Sequence, residues 1–320
     1  MIAGSLIVAA VAIAFPGEGA RLPHLDRCYV IGSVPKGVKT VTVGTDEVAV
    51  YRTGAWSTMV SVVPGTNVVK AVAGSESAEV TFTVEPPPTP PPPKVETPER
   101  AQAQPAAAER YPKLEYAKDA AKAPPTNRPP ERITVVIDPG HGGSDTGALS
   151  PHAHCEKEAN LLMALAVRDA LAKRGYRVVM TRERDVALAL YDRPKVAHAN
   201  DADAFISIHH NAPPADRDPR EFRYTAVFAW NEIGTALAKA VNRRMAEALA
   251  GEIRNNGVPH ANFAVTRNPE IPSCLVEVDF LTSPEGEEAV WDGKRRLRLA
   301  DAIARGFADW CGNVCYNTGL

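Results

Sequence analysis

The sequence predicts two units of different class: an α/β domain whose largely parallel sheet carries helices on both faces, preceded by a small all-β sandwich. Three observations carry that prediction. From Ile133 to Trp310, apolar runs of strand length alternate with helical patterns. From about Arg27 to Val84, short alternating runs are broken at regular intervals by turn residues. Between the two lies PPPTPPPP, Pro86 to Pro93, which forms no ladder and runs as a stiff spacer of about 3 Å per residue.

Taken in order, the chain opens with the apolar run Ile2 to Phe15, closed at once by Pro16 and Gly17. It is short for a transmembrane helix and has the character of a secretory signal core, with small residues near Gly19 and Ala20 for cleavage; no basic residue precedes it, so a retained anchor stays open. Residues 1–20 are therefore read as signal or anchor, with export to the periplasm or cell envelope. The runs CYVIGSV, KTVTVG, EVAVY, STMVSVV, TNVVKAV and AEVTFTV then give a β-sandwich over residues 26–85. Its GT and PGTN turns resemble those of bacterial immunoglobulin-like modules. Its few ionisable groups are scattered, which favours a spacer that packs on itself over a binding module.

Residues 86–132 read as a Pro- and Ala-rich linker with one helical pattern at Lys113 to Lys122. The second domain, residues 133–312, starts with the strand ITVVID. There follow a helix from Lys157 to Arg174, the strand YRVVMT, a helix from about Leu188 to Asn200, the strand AFISI and the extended run YTAVFAW. A helix from Ile233 to Ala250, a short strand FAVT, the strand SCLVEVDF and a helix from about Arg295 to Trp310 complete it.

The 320 residues carry a formal charge of −2, and no basic cluster interleaves with aromatics, so nucleic acid is excluded as a partner. The five cysteines show no metal-knuckle spacing; Cys311 and Cys315 are close enough to pair in an exported chain, and Cys274 reads as a small buried strand residue.

Four stretches break the local patterns. IDPGHGG ends a buried strand in a glycine loop that presents His141; HAHCEKEANLL opens a helix with Glu156; SIHHNA places His209 where a strand ends; CLVEVDF puts Glu277 inside an otherwise apolar strand. Loops at the carboxyl ends of strands are where open α/β sheets bind ligands. Two histidines and a carboxylate converging there form the ligand set of a catalytic zinc, and Glu277, costly to bury without a partner, is left to act as a base. Spacing alone leaves His210 as an alternative to His209, and His152, His154, Cys155 and Glu158 as alternatives around Glu156. Asp279 lies two residues from Glu277 on the same face of its strand, so it either tunes the base or meets a structural arginine.

Together IDPGHGG, EKEANL, SIHHNA, NFAVTRN and LVEVDFLTSPEGE, in that order, resemble the zinc-dependent N-acetylmuramoyl-L-alanine amidases that act on peptidoglycan. The resemblance runs from about Ile133 to Trp310. It implies one zinc per chain on His141, Glu156 and His209, Glu277 as general base for a zinc-activated water, and Arg267 near substrate, with Asn211 a further substrate contact. The implied reaction cuts the amide between N-acetylmuramic acid and the L-alanine of the stem peptide; a zinc peptidase acting within the stem peptide and a non-catalytic wall-binding protein are the alternatives. Asp279 replaces a glycine usual in the family, and His210 a small residue. Some members carry a long inserted helix that blocks the site, whereas the segment from Asn211 to Tyr224 is short and rich in Pro and Asp, which implies a site without a built-in autoinhibitory helix.

Overall fold

The computed structural model describes residues 10–88, 122, 124–268 and 270–312. In the N-terminal unit the strands are β1 (Ala12–Phe15), β2 (Arg21–Leu22), β3 (Arg27–Ser33), β4 (Thr40–Val43), β5 (Asp46–Ala49), β6 (Ala55–Ser61), β7 (Gly65–Ala73) and β8 (Glu76–Val84). They form a three-stranded sheet, β1-β3-β6, and a five-stranded sheet, β2-β8-β7-β4-β5. Alternation supplies the core: Val41 and Val43 of β4, Val80, Phe82 and Val84 of β8 and Val30 of β3 point inward around the fully buried Trp56.

The first boundary needs correction. Residues 1–20 were expected to lie outside this unit as signal or anchor. Instead, Ala12 and Ile13 pair with Ser33 and Gly32 of β3, and Val11 and Ala14 are buried. A short apolar run serves equally as an edge strand when a sheet offers it a free neighbour, and its composition does not separate the two. Residues 1–9 lie outside the described residues, and no helix among the described residues is long and apolar enough to cross a membrane.

The linker also ends earlier than expected. Lys122 reaches Asp201 at 2.6 Å and Arg128 reaches Asp203 at 2.6 Å, so this stretch lies on the second domain. The helix expected at Lys113 to Lys122 falls outside the described residues except for Lys122, which is not helical; Cys315 also falls outside them.

The second domain contains β9 (Thr134–Pro139), α1 (Glu156–Ala172), β10 (Arg177–Met180), α2 (Arg193–Ala199), β11 (Ala204–Asn211) and β12 (Tyr224–Phe228). Beyond these come α3 (Glu232–Ala248), β13 (Arg254–Asn255), β14 (Ser273–Phe280), α4 (Pro284–Trp291) and α5 (Gly293–Trp310). The sheet order is β10-β9-β11-β14-β12-β13, and every neighbouring pair is parallel except β12 against β14. One face, with Val135, Ile137, Ile206, Ile208, Val276 and Val278, packs on α1, α3 and α5; the other, with Val136, Phe205 and Leu275, packs on α2 and the turn at Ala264–Thr266. At Gly306 of α5 an added Cβ would run into the backbone of Val241, so a glycine is what lets α5 lie this close to α3.

Three elements differ from the sequence expectation. The stretch read as the strand FAVT is a 3₁₀ turn, Ala264–Thr266, because the Thr266 hydroxyl donates back to the carbonyl of Phe263 and offers the backbone a local partner. The helix expected from Leu188 is a 3₁₀ turn, Leu190–Asp192, followed by α2, which starts at Arg193 with Pro194 in its first turn. Helix α4 was not anticipated; Ser283 caps it by accepting from the Gly286 amide.

Candidate active site

His141, Glu156 and His209 come together at the carboxyl edge of the sheet, each offering one ligand atom within 4.8 Å of the others. His141 Nε2 lies 3.1 Å from Glu156 Oε2, and His209 Nδ1 lies 3.0 Å from Glu156 Oε1. Glu277 is the direct register partner of His209 on the neighbouring parallel strand. Of the alternatives around Glu156, His152 bonds to Glu287, and the ring of His210, the alternative to His209, bonds to Asn160.

The loop carrying His141 is held by two buried arginines. Arg193 donates to Asp138 Oδ1 at 2.9 Å and to the carbonyls of Pro139 and His141, both at 2.8 Å. Arg182 donates to the carbonyls of Pro139, Gly140 and Lys157. Asp138 is fully buried and also accepts from the hydroxyls of Thr181 and Ser207. So clamped, His141 sits at φ 59°, a left-handed conformation that costs a non-glycine residue about 1–3 kcal/mol and that persists only where its surroundings enforce it.

Glycine is required at two positions. A Cβ on Gly140 would overlap the His209 imidazole, and one on Gly147 would collide with Glu156 Oε2 and the His141 ring. Gly140→Ala is therefore expected to push His209 off its position and to lower the affinity of the cluster for a divalent metal at least about 10-fold, the lower end of what lost support around metal-binding side chains costs. Metal titration by chelator competition checks it.

Glu156 is the most heavily bonded of the three. It accepts from the amides of Ala148 (3.0 Å) and His210 (3.2 Å) and from the Asn160 side chain (3.0 Å). Burial alone would raise its pKa, but hydrogen bonds and charge from His141 and His209 hold it well below the usual carboxylate range. For His141 burial opposes protonation, while Glu156 and Asp145 together raise it to about 9. Asp145 bonds His141 Nδ1 at 2.9 Å, which fixes the tautomer that leaves Nε2 toward the cluster. Glu277 is the opposite case: its Oε2 is enclosed without a hydrogen-bond partner, and burial with the nearby Glu156 charge pushes its pKa well above the usual range.

The other predicted residues divide. Asp279 is fully buried between Arg223 (3.1 Å) and Arg295 (2.8 Å), so of its two readings the structural one holds. His210 is held neutral by burial, its pKa down to about 3, and it bonds Asn160 at 2.8 Å. Asn211 ends β11 and its side chain accepts from the Ala212 amide; Arg267 is exposed at the end of the Ala264–Thr266 turn. Asn160, Asp145, Arg182 and Arg193 were not anticipated. Two of them were legible by spacing, since Asn160 lies one helical turn after Glu156 and Asp145 four residues after His141.

Residues 135–309, more than half of the 320-residue chain, match the family model described as N-acetylmuramoyl-L-alanine amidase. The chain belongs to the N-acetylmuramoyl-L-alanine amidase family. It is 31% identical over 217 residues to the N-acetylmuramoyl-L-alanine amidase AmiA of Escherichia coli, an alignment covering 54% of this chain and 74% of that protein. Among solved structures, the amidase AmiC2 of Nostoc punctiforme superposes with a TM-score of 0.52 at 33% identity, covering 56% of this chain and 96% of that one. An amidase from Clostridium difficile 630 superposes with a TM-score of 0.53 at 30% identity, covering 58% and 98%. The family match falls on the α/β domain, and the protein is an N-acetylmuramoyl-L-alanine amidase with a mixed, largely parallel sheet and an all-β unit ahead of it.

Proposed function

We propose that this amidase uses one zinc held by His141, Glu156 and His209, with Glu277 as general base, and acts on peptidoglycan in the cell envelope. The observation that carries the reading is the convergence of three ligand atoms within 4.8 Å beside a carboxylate oxygen, on Glu277, that has no partner. Two neutral imidazoles and one carboxylate suit zinc and leave a coordination position open. Zinc supplies Lewis-acid polarisation of a carbonyl and makes a water more acidic near neutral pH.

The residues of the chain do the rest. Glu277 takes a proton from the attacking water as the new C–O bond forms, and returns it to the amide nitrogen as the C–N bond breaks, so one carboxyl serves as base and then acid. Burial and the nearby Glu156 charge raise its pKa, which makes its carboxylate a stronger base than an exposed glutamate. Asp145 keeps His141 in one tautomer, and Asn160 with the Ala148 amide fixes the rotamer of Glu156. Exposed Arg267 and the strand-end Asn211 are assigned to the substrate, whose lactyl-L-alanine amide is the bond cut. Relatives named probable cell wall amidases support an envelope location.

Metal content measured beside release of stem peptides tests this. One zinc per chain, with peptides bearing a new L-alanine amine, is expected for the native protein, and both should vanish in a His141→Ala, His209→Ala variant. Zinc with cleavage inside the stem peptide would keep the site and change the bond.

A further inference from the structure

The all-β unit is not a detached spacer; it grips two loops, one following His209 and one leading into Glu156. One grip is on the loop after His209. The Tyr29 amide, beyond the end of β1 and so free of a strand partner there, donates to the Ala215 carbonyl at 2.8 Å, and Ala215 packs beside Tyr29 and Ile31. The other is on the loop before Glu156. Buried Glu287 of α4 organises that loop, accepting from the Ser150 hydroxyl (2.5 Å), the His152 amide (3.2 Å) and His152 Nδ1 (2.7 Å). The loop then closes on the site, because the Glu156 amide donates to the Ala148 carbonyl while the Ala148 amide donates to the Glu156 carboxylate.

His152 stands where this network meets the all-β unit. Its ring hydrogen-bonds to the backbone of Thr53, and its Nε2 faces the Tyr51–Gly54 turn. The next carboxylate on α4, Glu288, accepts from the Tyr51 hydroxyl at 3.1 Å and pairs with Arg52. Adjacent residues of one short helix thus hold the ligand loop on one side and the all-β unit on the other.

We infer that His152 is an interdomain positioning residue through which docking of the N-terminal unit and metal affinity at Glu156 are coupled. The inference rests on the zinc reading above. By linkage, whatever docking contributes to metal affinity, metal binding returns to docking. A rigid loop presents the Glu156 carboxylate in one rotamer, and a loop freed from Glu287 and Thr53 lets it sample others.

The test uses the full chain and reads zinc affinity by chelator competition together with amide hydrogen exchange at Tyr29 and Gly54. His152→Gln is expected to weaken zinc about 10-fold, inside the 5–150-fold span of typical couplings. Tyr51→Phe combined with Arg52→Ala, which changes nothing in the ligand loop, is expected to weaken zinc as well. Joining the two sets should give less than the product of their separate effects. Zinc removal should in turn speed exchange at Tyr29. If the Tyr51 and Arg52 changes speed exchange at Tyr29 while zinc affinity stays within about twofold, a factor worth well under 1 kcal/mol, the coupling is overturned. It is equally overturned if only the His152 change weakens zinc, which would make His152 a local loop residue. A native chain that takes up no zinc would remove the metal reading first, an outcome the affinity of the unaltered protein shows on its own.

Discussion

Exchange of Glu277 for glutamine is expected to cut kcat about 10³-fold while leaving zinc content at one per chain. Glutamine keeps the size and one carbonyl oxygen of the side chain, so the register of β14 against β11 has no reason to move, and the three ligands are untouched. What disappears is a carboxyl, register partner of His209, whose oxygen is enclosed and unpartnered. General acid–base catalysis contributes about 10²–10⁴-fold, and the same carboxyl is needed in both proton transfers, which places the loss at about 4 kcal/mol of transition-state stabilisation. Steady-state kinetics with metal analysis checks it, and a variant retaining a tenth of native turnover would remove Glu277 from the reaction. The stability of the same variant carries a second signal. Burial works against the charged form of Glu277, so removing the charge should leave the melting temperature unchanged or raise it, the usual mark of a group kept for function.

The chemistry of this site is visible in the sequence because its residues violate their surroundings: His141 is an imidazole between glycines, and Glu277 is a carboxylate in an apolar strand. The supports are not visible in the same way. Arg182 and Arg193 follow in the chain more than forty residues after the loop they clamp, and an arginine in a linear sequence carries no sign that its partners are backbone carbonyls. Asn160 and Asp145 differ, since helical spacing and a tight loop bring them to Glu156 and His141 by local geometry alone. The strand AIAF marks a further limit, because an apolar run that fits a sheet edge and one that fits a signal core share a composition. Docking of the all-β unit depends on Tyr29, Tyr51 and Arg52, ordinary residues of strands and turns whose partners lie on α4 and beyond β11. The proline run suggests separation, yet the two units meet through contacts that no local pattern in the sequence announces.

Asp279→Ala is expected to destabilise the domain by about 3–5 kcal/mol, the cost of stripping one partner from a buried ion pair. The carboxylate is fully buried and receives Nε and Nη2 of Arg223, both at 3.1 Å, in a bidentate contact, with Arg295 Nη2 at 2.8 Å. Alanine would leave the buried Arg295 guanidinium with Glu252 as its one carboxylate among the described residues, and would free Arg223 at the end of the loop that follows His209. Against a total stability of about 5–15 kcal/mol this is a large share, and it should appear in urea unfolding as a lower midpoint at unchanged m. Adding Arg295→Met to Asp279→Ala should restore about half of the loss, because it removes the stranded charge and keeps apolar volume. A single variant that loses less than about 1 kcal/mol, or a double variant worse than the single, would show that the cluster is solvated and adds little. The kinetic corollary separates structure from catalysis. Burial and Glu156, not Asp279, are what raise Glu277, so Asp279→Asn, which keeps an acceptor for Arg223 Nε and the Phe280 amide and loses the two bonds to Oδ2, should leave the pH profile of kcat in place. A profile displaced by a full pH unit, about 1.4 kcal/mol, would instead make Asp279 part of the base.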